Sequence, residues 1–206
     1  DFSDKFRQVR PIMGTGYEAI LIARMLNDGE TVEAIMDDYD DKKQKIIDDS
    51  SLEIDFLKKI FGETRDSWIK DDIDEWIKMN PLFPGIKEKL QRLSEQGFWY
   101  VVTTKQERFV KQIFRANQIQ LPEERIFGLD RNKTKEEILI DLVAKHTEEK
   151  IYFVEDMLPA LLKVFNNSQL ATVKLFLVSW GYNTAEDRLS VGNYDIELIN
   201  IEGFLG

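Results

Sequence analysis

Hydrophobic positions in the first 80 residues recur at intervals of three and four, which is typical of amphipathic helices. One apolar face is formed by Tyr17, Ile20, Leu21 and Met25. The same spacing returns around residues 32–39 and again around residues 68–77. The pattern therefore predicts an all-helical domain over residues 1–80.

After Pro81 the pattern changes to apolar runs that alternate with helical segments. The predicted strands are the runs at 98–102, 125–128, 151–154, 173–178 and 196–199. The segments between them have helical spacing, beginning with a helix from Pro84 that stops at Gly97. Alternating strands and helices indicate a parallel sheet with helices on both faces. We therefore predict an α/β fold for residues 81–206, a three-layer, doubly wound parallel sheet. The run at 98–102 is unbroken, which suits a strand buried on both faces.

The composition excludes several kinds of chemistry. The chain has 28 Lys and Arg against 38 Asp and Glu, a net charge of −10, no Cys and one His. Without Cys there is no disulfide, thiol nucleophile or thiolate zinc site, and one His cannot form a multi-histidine metal centre. The surplus negative charge disfavours nucleic acid and anionic membranes as partners. Any chemistry would rest on carboxylates, Lys and hydroxyls, with a hard cation such as Mg²⁺.

The sequence also bears on localisation and on the one histidine. The first five residues lack the basic-then-apolar pattern of a signal peptide, and no stretch approaches the roughly 20 apolar residues of a membrane span. We therefore expect a cytoplasmic protein, or one of an organelle stroma. His146 follows a predicted helix, and a helix C-terminus favours a cationic His. A structural role is the expectation for this residue.

Polar residues follow three of the predicted strands. Thr103, Thr104 and Lys105 come directly after the first apolar run, and Glu155 and Asp156 come after the third. Between them, the polar loop 130–135 leads into a helix. Ligands of parallel sheets gather at the carboxyl ends of the strands. Hydroxyl, ammonium and carboxylate groups there could bind a phosphate and hold Mg²⁺. Each group also has a purely structural reading, as a turn residue, a solvated side chain or a helix cap.

The order and spacing of these stretches resemble the haloacid dehalogenase-like hydrolase superfamily, in particular its phosphoglycolate-phosphatase-like members. Val101–Lys105 is similar to the family's second motif, and Tyr152–Asp156 is similar to the fourth. Trp180–Tyr182 resembles a Trp-Gly loop common in those members, and Phe83–Ile86 resembles the entry to the core after the cap. The resemblance spans about residues 81–190. It implies a helical cap domain over residues 1–80 and a Rossmann-like core over residues 81–206.

The resemblance implies a Mg²⁺-dependent phosphatase that acts on a small phosphorylated metabolite through an aspartyl-phosphate. Thr103, with Thr104 beside it, would bind the transferring phosphoryl group. Lys135, at the start of a helix, would offset the charge of the nucleophile and the phosphate, and Lys133 is the alternative lysine. Which metabolite is the substrate does not follow from the sequence.

The same resemblance implies that Asp156 binds Mg²⁺, with Glu155 beside it. The family often carries a further acid a few residues later, but Pro159, Ala160 and Leu161 occupy that stretch here. A metal site would therefore have fewer carboxylates than is usual in the family.

The family's first motif is missing. Its nucleophilic aspartate, and a second aspartate two positions later, follow a first strand, and Asp1-Phe2-Ser3 has neither that strand nor the second acid. The chain as given is therefore expected to be inactive. Three readings stay open. They are a phosphatase whose first strand lies outside this sequence, a non-catalytic binding or scaffold protein on a degenerate hydrolase fold, and a homo-oligomer that takes the strand from a neighbouring chain.

Overall fold

The computed structural model describes all 206 residues. The α-helices, in chain order, are α1 (Phe2–Val9), α2 (Glu18–Asn27), α3 (Val32–Asp37), α4 (Tyr39–Asp49), α5 (Ile54–Asp71), α6 (Ile73–Lys78), α7 (Ile86–Gln96), α8 (Glu107–Ala116), α9 (Lys135–Lys145), α10 (Leu158–Phe165), α11 (Ala185–Ser190) and α12 (Ile201–Leu205). The strands are β1 (Val101–Val102), β2 (Ile126–Phe127), β3 (Tyr152–Glu155), β4 (Lys174–Val178) and β5 (Ile196–Ile199). None of the helices combines the length and the apolar character needed to cross a membrane.

The strands form two separate parallel sheets. In the smaller sheet β1 pairs with β2, and in the larger sheet the order is β3-β4-β5. Parallel neighbours need crossover connections, and α10 and α11 lie in the connections that link the three strands of the larger sheet. The prediction of a mixed α/β chain with parallel strands is confirmed. The strands are divided between a two-stranded and a three-stranded sheet.

The chain divides into two compact units, residues 1–82 with 104–118, and residues 83–103 with 119–206. The first unit contains helices only. It includes α8, because Phe109 and Ile113 of that helix pack with Trp76 of α6. The sequence placed this helix in the α/β domain, since helical spacing shows that a helix has an apolar face but not which core that face joins. The sequence-based division between residues 80 and 81 lies close to the first boundary at 82.

The core of the second unit lies on one face of the larger sheet. Leu161 of α10 and Leu177 of β4 are both fully buried there. Phe153 and Glu155 of β3 point to this face and are buried, whereas Tyr152 on the opposite face is 60% exposed. This alternation fixes Glu155 on the buried face at the end of β3, which is where the candidate site lies.

The apolar run at 98–102 forms a shorter strand than its sequence predicts. Only Val101 and Val102 belong to β1, and both are half-buried. Phe98 is 61% exposed, and its ring packs against His146 with the centroids 5.4 Å apart. Trp99 donates its indole N–H to the Ser94 hydroxyl at 2.8 Å. The prediction of a five-residue strand buried on both faces is therefore wrong. Two of its aromatic residues are engaged by neighbouring side chains outside the sheet.

Candidate functional site

Lys135 is placed by the cap at the start of α9. The Thr134 hydroxyl accepts a hydrogen bond from the backbone N–H of Glu137 at 3.2 Å, and the Glu137 carboxylate accepts one from the N–H of Thr134 at 2.8 Å. This reciprocal capping box fixes where the helix begins. Lys135 is thus the first residue of α9, and its ammonium reaches the end of β3, where it forms an ion pair with Glu155.

The Glu155 carboxylate is buried and fully engaged. Its Oε2 accepts the bond from Lys135, and its Oε1 accepts bonds from the backbone N–H groups of Asp156 at 3.2 Å and Met157 at 3.1 Å. Burial raises the pKa of Glu155, and the charge and hydrogen bond of Lys135 oppose that rise. The central group of the site is therefore the buried Glu155 carboxylate, whose charged form is stabilised by Lys135.

Asp156 is held by the loop that follows β4. Its Oδ2 accepts a hydrogen bond from the backbone N–H of Tyr182 at 2.9 Å. Gly181 lies so close to the Asp156 side chain that a Cβ at residue 181 has no room. The Trp-Gly loop noted in the sequence therefore fixes the position of the Asp156 carboxylate.

Asn183 completes this support, and sequence reasoning gave it no role. Its buried amide donates to the carbonyl oxygens of Asp156 at 2.9 Å and Val178 at 2.7 Å. Arg188 in turn donates to the side-chain oxygen of Asn183 at 2.8 Å. A lone Asn three residues after a Trp gives no sequence signal. Only the approach of the two strand ends gives it partners.

The two threonines of the predicted phosphate motif lie in different units. Thr103 directly follows β1 and extends its pairing, since its N–H donates to the Phe127 carbonyl at 2.9 Å. It belongs to the second unit, as do Lys135, Glu155 and Asp156. Thr104 belongs to the first unit, where its hydroxyl donates to the Gly14 carbonyl at 3.3 Å.

Two further residues considered from the sequence lie apart from this cluster. Lys133, the alternative lysine, pairs with Asp141 at 2.6 Å in an exposed salt bridge. His146 lies at the C-terminus of α9, where its Nε2 is 2.6 Å from the Tyr100 hydroxyl. Its ring also contacts Tyr100 edge-on, so its observed contacts are packing and hydrogen bonding within the second unit.

The predicted Mg²⁺ ligands, Glu155 and Asp156, are adjacent residues at the end of β3. No group of three or more Asp, Glu, His or Cys side chains is placed to hold an ion. Both oxygens of Glu155 are committed to Lys135 and to backbone N–H groups. Mg²⁺ in proteins is usually bound by one or two carboxylates together with water and substrate phosphate, and Asp156 would supply one such carboxylate.

Comparison of the chain with protein-family models, with curated proteins and with solved structures finds no match.

Replacing Lys135 tests the buried ion pair. Lys135→Met leaves the Glu155 charge buried without its cation, and we expect a loss of about 3 kcal/mol in the free energy of unfolding at neutral pH. The matched control is Lys133→Met, which breaks an exposed pair and should cost less than about 1 kcal/mol. Urea denaturation measures both values. Equal losses in the two variants would contradict the proposed importance of burial.

The raised pKa of Glu155 predicts a pH dependence of stability. Between the pKa of the unfolded chain and the higher pKa of the folded chain, the folded state binds more protons at this group. The contribution of Glu155 to stability therefore falls as the pH rises through that window. Urea denaturation from about pH 4 to about pH 7 should show the stability of the wild type falling relative to that of Glu155→Gln. A difference that stays constant or grows with pH would refute the assignment.

Replacing Gly181 tests the support of Asp156. Gly181→Ala forces a methyl group against the Asp156 side chain, and we expect a loss of roughly 1–3 kcal/mol together with a shifted NMR resonance of the Tyr182 amide. Gly192→Ala is the control, because a Cβ there meets nothing within 4 Å. If the two variants are equally stable, the contact does not hold Asp156 in place.

Proposed function

We propose that this chain is the larger part of a phosphomonoester hydrolase of the haloacid dehalogenase-like type. In this proposal the two parallel sheets are the halves of one doubly wound, three-layer sheet. The helical first unit corresponds to the family's cap domain. The substrate is a small phosphorylated metabolite.

The observation that carries the proposal is the division of the strands into two parallel sheets. β1 is bonded only to β2, and β3 is bonded only to β4, so each of these strands has one open edge. The helix α9 connects β2 to β3. One further parallel strand between β1 and β3 would join the two sheets in the order β2-β1-x-β3-β4-β5. These 206 residues do not contain that strand.

The position of the added strand agrees with where α/β sheets bind ligands. The chain passes outward from β1 to β2 and then returns through α9 to β3, so the strand order reverses at the added strand. Ligands of doubly wound sheets bind at such a reversal, outside the carboxyl ends of the strands. The residues at the carboxyl ends of β1 and β3 are Thr103 and the Glu155–Asp156 pair.

The chemistry proposed for this edge is phosphoryl transfer to a carboxylate. An aspartate at the end of the added strand attacks phosphorus, the bond to the leaving alcohol oxygen breaks, and a second acid gives that oxygen a proton. Water then attacks the aspartyl-phosphate, which releases inorganic phosphate and restores the aspartate. Thr103 would donate its hydroxyl to a phosphoryl oxygen. Lys135, already held beside Glu155, would offset the negative charge gathered there.

A divalent ion would need ligands from the added strand. Asp156 is fixed by Tyr182 and would supply one carboxylate oxygen. The ion's role in such a site is to neutralise charge on the transferring phosphoryl group. The aspartates that the proposal requires are also the groups that would complete its coordination.

The test compares this chain with one extended by the residues encoded immediately before Asp1. Both are assayed with p-nitrophenyl phosphate and Mg²⁺. We expect no turnover by the chain as given, because removing a covalent nucleophile costs many orders of magnitude. The extended chain should turn over, and Lys135→Met should lower its kcat by at least about a hundredfold, while Lys133→Met leaves it unchanged.

Three outcomes would overturn the proposal. The first is an extended chain without turnover, and the second is a gene with no Asp-x-Asp segment upstream. The third is hydrolysis by the chain as given that Lys135→Met does not reduce. Binding of a phosphorylated ligand without turnover by the extended chain would support the alternative, a non-catalytic binding protein on the same fold.

A further inference from the structure

Four rings of the second unit form a cluster beside the smaller sheet. Phe98 and Tyr100 come just before β1, and both rings contact the ring of His146, with centroids 5.4 and 5.6 Å away. Phe127 of β2 extends the cluster, since its centroid lies 6.2 Å from that of Tyr100. The Tyr100 hydroxyl lies 2.6 Å from Nε2 of His146. These mutual contacts hold the rings in one arrangement.

Two cations lie over these rings. The Arg125 guanidinium is 4.6 Å from the Phe98 centroid and 5.9 Å from the Tyr100 centroid. The Lys145 ammonium is 5.8 Å from the same Tyr100 centroid. Both charges therefore gather around one ring, whose faces attract cations. We define the aromatic–basic patch by six residues, which are Phe98, Tyr100, Phe127, His146, Arg125 and Lys145.

Neither cation has an acidic partner within the chain. Arg125 and Lys145 contact rings only, and neither forms a salt bridge or donates a hydrogen bond through its charged group. Acids are nevertheless abundant in this chain, with 38 Asp and Glu against 28 Lys and Arg. A stacked guanidinium keeps its N–H edge available, and that edge matches a carboxylate in a paired hydrogen bond. The patch therefore offers two charges to acids from outside the chain.

The patch also exposes a large apolar ring. Phe98 is 61% exposed, and an exposed aromatic residue beside an arginine is typical of protein–protein interfaces. Tyr152 on β3 is similarly exposed, at 60%, but its surroundings differ. Its partner in the strand register, Lys174, already pairs with Asp195 at 3.8 Å. Exposure of a ring together with unpaired cations is thus a feature of the patch and not of exposed aromatic residues generally.

The patch lies away from the residues of the proposed hydrolase site. Phe98 and Tyr100 come before β1, whereas Thr103 follows it. His146 caps the C-terminus of α9, and Lys135 is the first residue of that helix. Since α9 has 11 residues, its two ends are about 16 Å apart. A ligand on the patch therefore leaves the carboxyl ends of the strands accessible.

We propose that the aromatic–basic patch binds an acidic segment of a partner protein, in which carboxylates flank a large apolar side chain. The apolar side chain packs on the exposed ring of Phe98. One carboxylate accepts paired hydrogen bonds from Arg125, and another pairs with Lys145. Because the contacts among the rings already fix this surface, little ordering is required when the segment binds.

The acids around the patch disfavour a nucleic acid as the partner. The glutamates at 123–124 and 148–149 are exposed and adjoin the two cations in the sequence. Glu149 also lies close to the patch itself, with its carboxylate 3.7 Å from Nδ1 of His146. A continuous phosphate chain would be repelled by these carboxylates. A short segment that directs two carboxylates at Arg125 and Lys145 avoids most of that repulsion.

The test is NMR titration of the ¹⁵N-labelled chain with the peptide acetyl-Asp-Glu-Trp-Glu-Asp-amide near neutral pH. We expect saturable shifts of the amide resonances at residues 98–100, 125–127 and 145–146. The affinity should be lower in about 300 mM NaCl than in about 50 mM NaCl, because salt screens exposed charges. The neutral peptide acetyl-Asn-Gln-Trp-Gln-Asn-amide should bind at least about tenfold more weakly.

Two pairs of variants separate the patch from the rest of the surface. Arg125→Gln and Phe98→Ala should each weaken binding of the acidic peptide by about tenfold or more. Lys174→Gln and Tyr152→Ala are the matched controls, because they remove an exposed cation and an equally exposed ring elsewhere in the same unit. Both controls should bind the peptide as the wild type does. The shift map of the wild type tests the proposal even if a variant does not fold.

Several results would overturn the proposal. They are an absence of shifts at the patch up to about 1 mM peptide, equal affinity for the neutral peptide, and wild-type affinity in Arg125→Gln. Tighter binding of single-stranded oligothymidylate at the same residues would assign the patch to nucleic acid instead. Shifts that appear on raising the chain concentration alone would assign it to a second copy. None of these measurements involves turnover, so failure here is distinct from failure of the proposed hydrolase.

Discussion

A carboxylate buried at the end of β3 is the constraint around which the second unit is arranged. Glu155 points to the face of the sheet that carries the core, where an isolated charge would be very costly. Its charge is accommodated by one ammonium and two backbone N–H groups. The ammonium is available because the Thr134 cap starts α9 at Lys135. A change in either the helix start or the strand end would leave this charge unbalanced.

The same strand end organises the loop after β4. Asp156 follows Glu155 and lies on the surface side, where Tyr182 and Asn183 bond to it. Glu155 is thus neutralised by Lys135 within the protein. The Asp156 carboxylate is held by an uncharged donor, the backbone N–H of Tyr182. The proposed hydrolase would use this difference, with a fixed ion pair beside one carboxylate that binds a ligand. Its remaining acids would come from the proposed strand between β1 and β3.

Much of the α/β order could be predicted from the sequence, because it depends on local patterning. The strand at 196–199 and the helix that Gly97 ends are both found at the predicted places. The choice of Lys135 came from the family resemblance, and its ion pair with Glu155 brings it to the end of β3. The features that the hydrophobic pattern did not predict depend on contacts between distant parts of the chain. The Phe98 ring packs against His146 and lies outside β1. Helix α8 belongs to the helical unit because Phe109 packs in its core.

Hydrogen exchange of the backbone amides is the sharpest test of whether one strand is inserted between β1 and β3. Exchange is compared between this chain and the chain extended by the residues encoded before Asp1. If the strand is inserted, the extension slows exchange in β1 and β3, whose open edges become paired, and leaves exchange in β2 and β5 unchanged. Unaltered exchange at β1 and β3 in a folded, extended chain would contradict it.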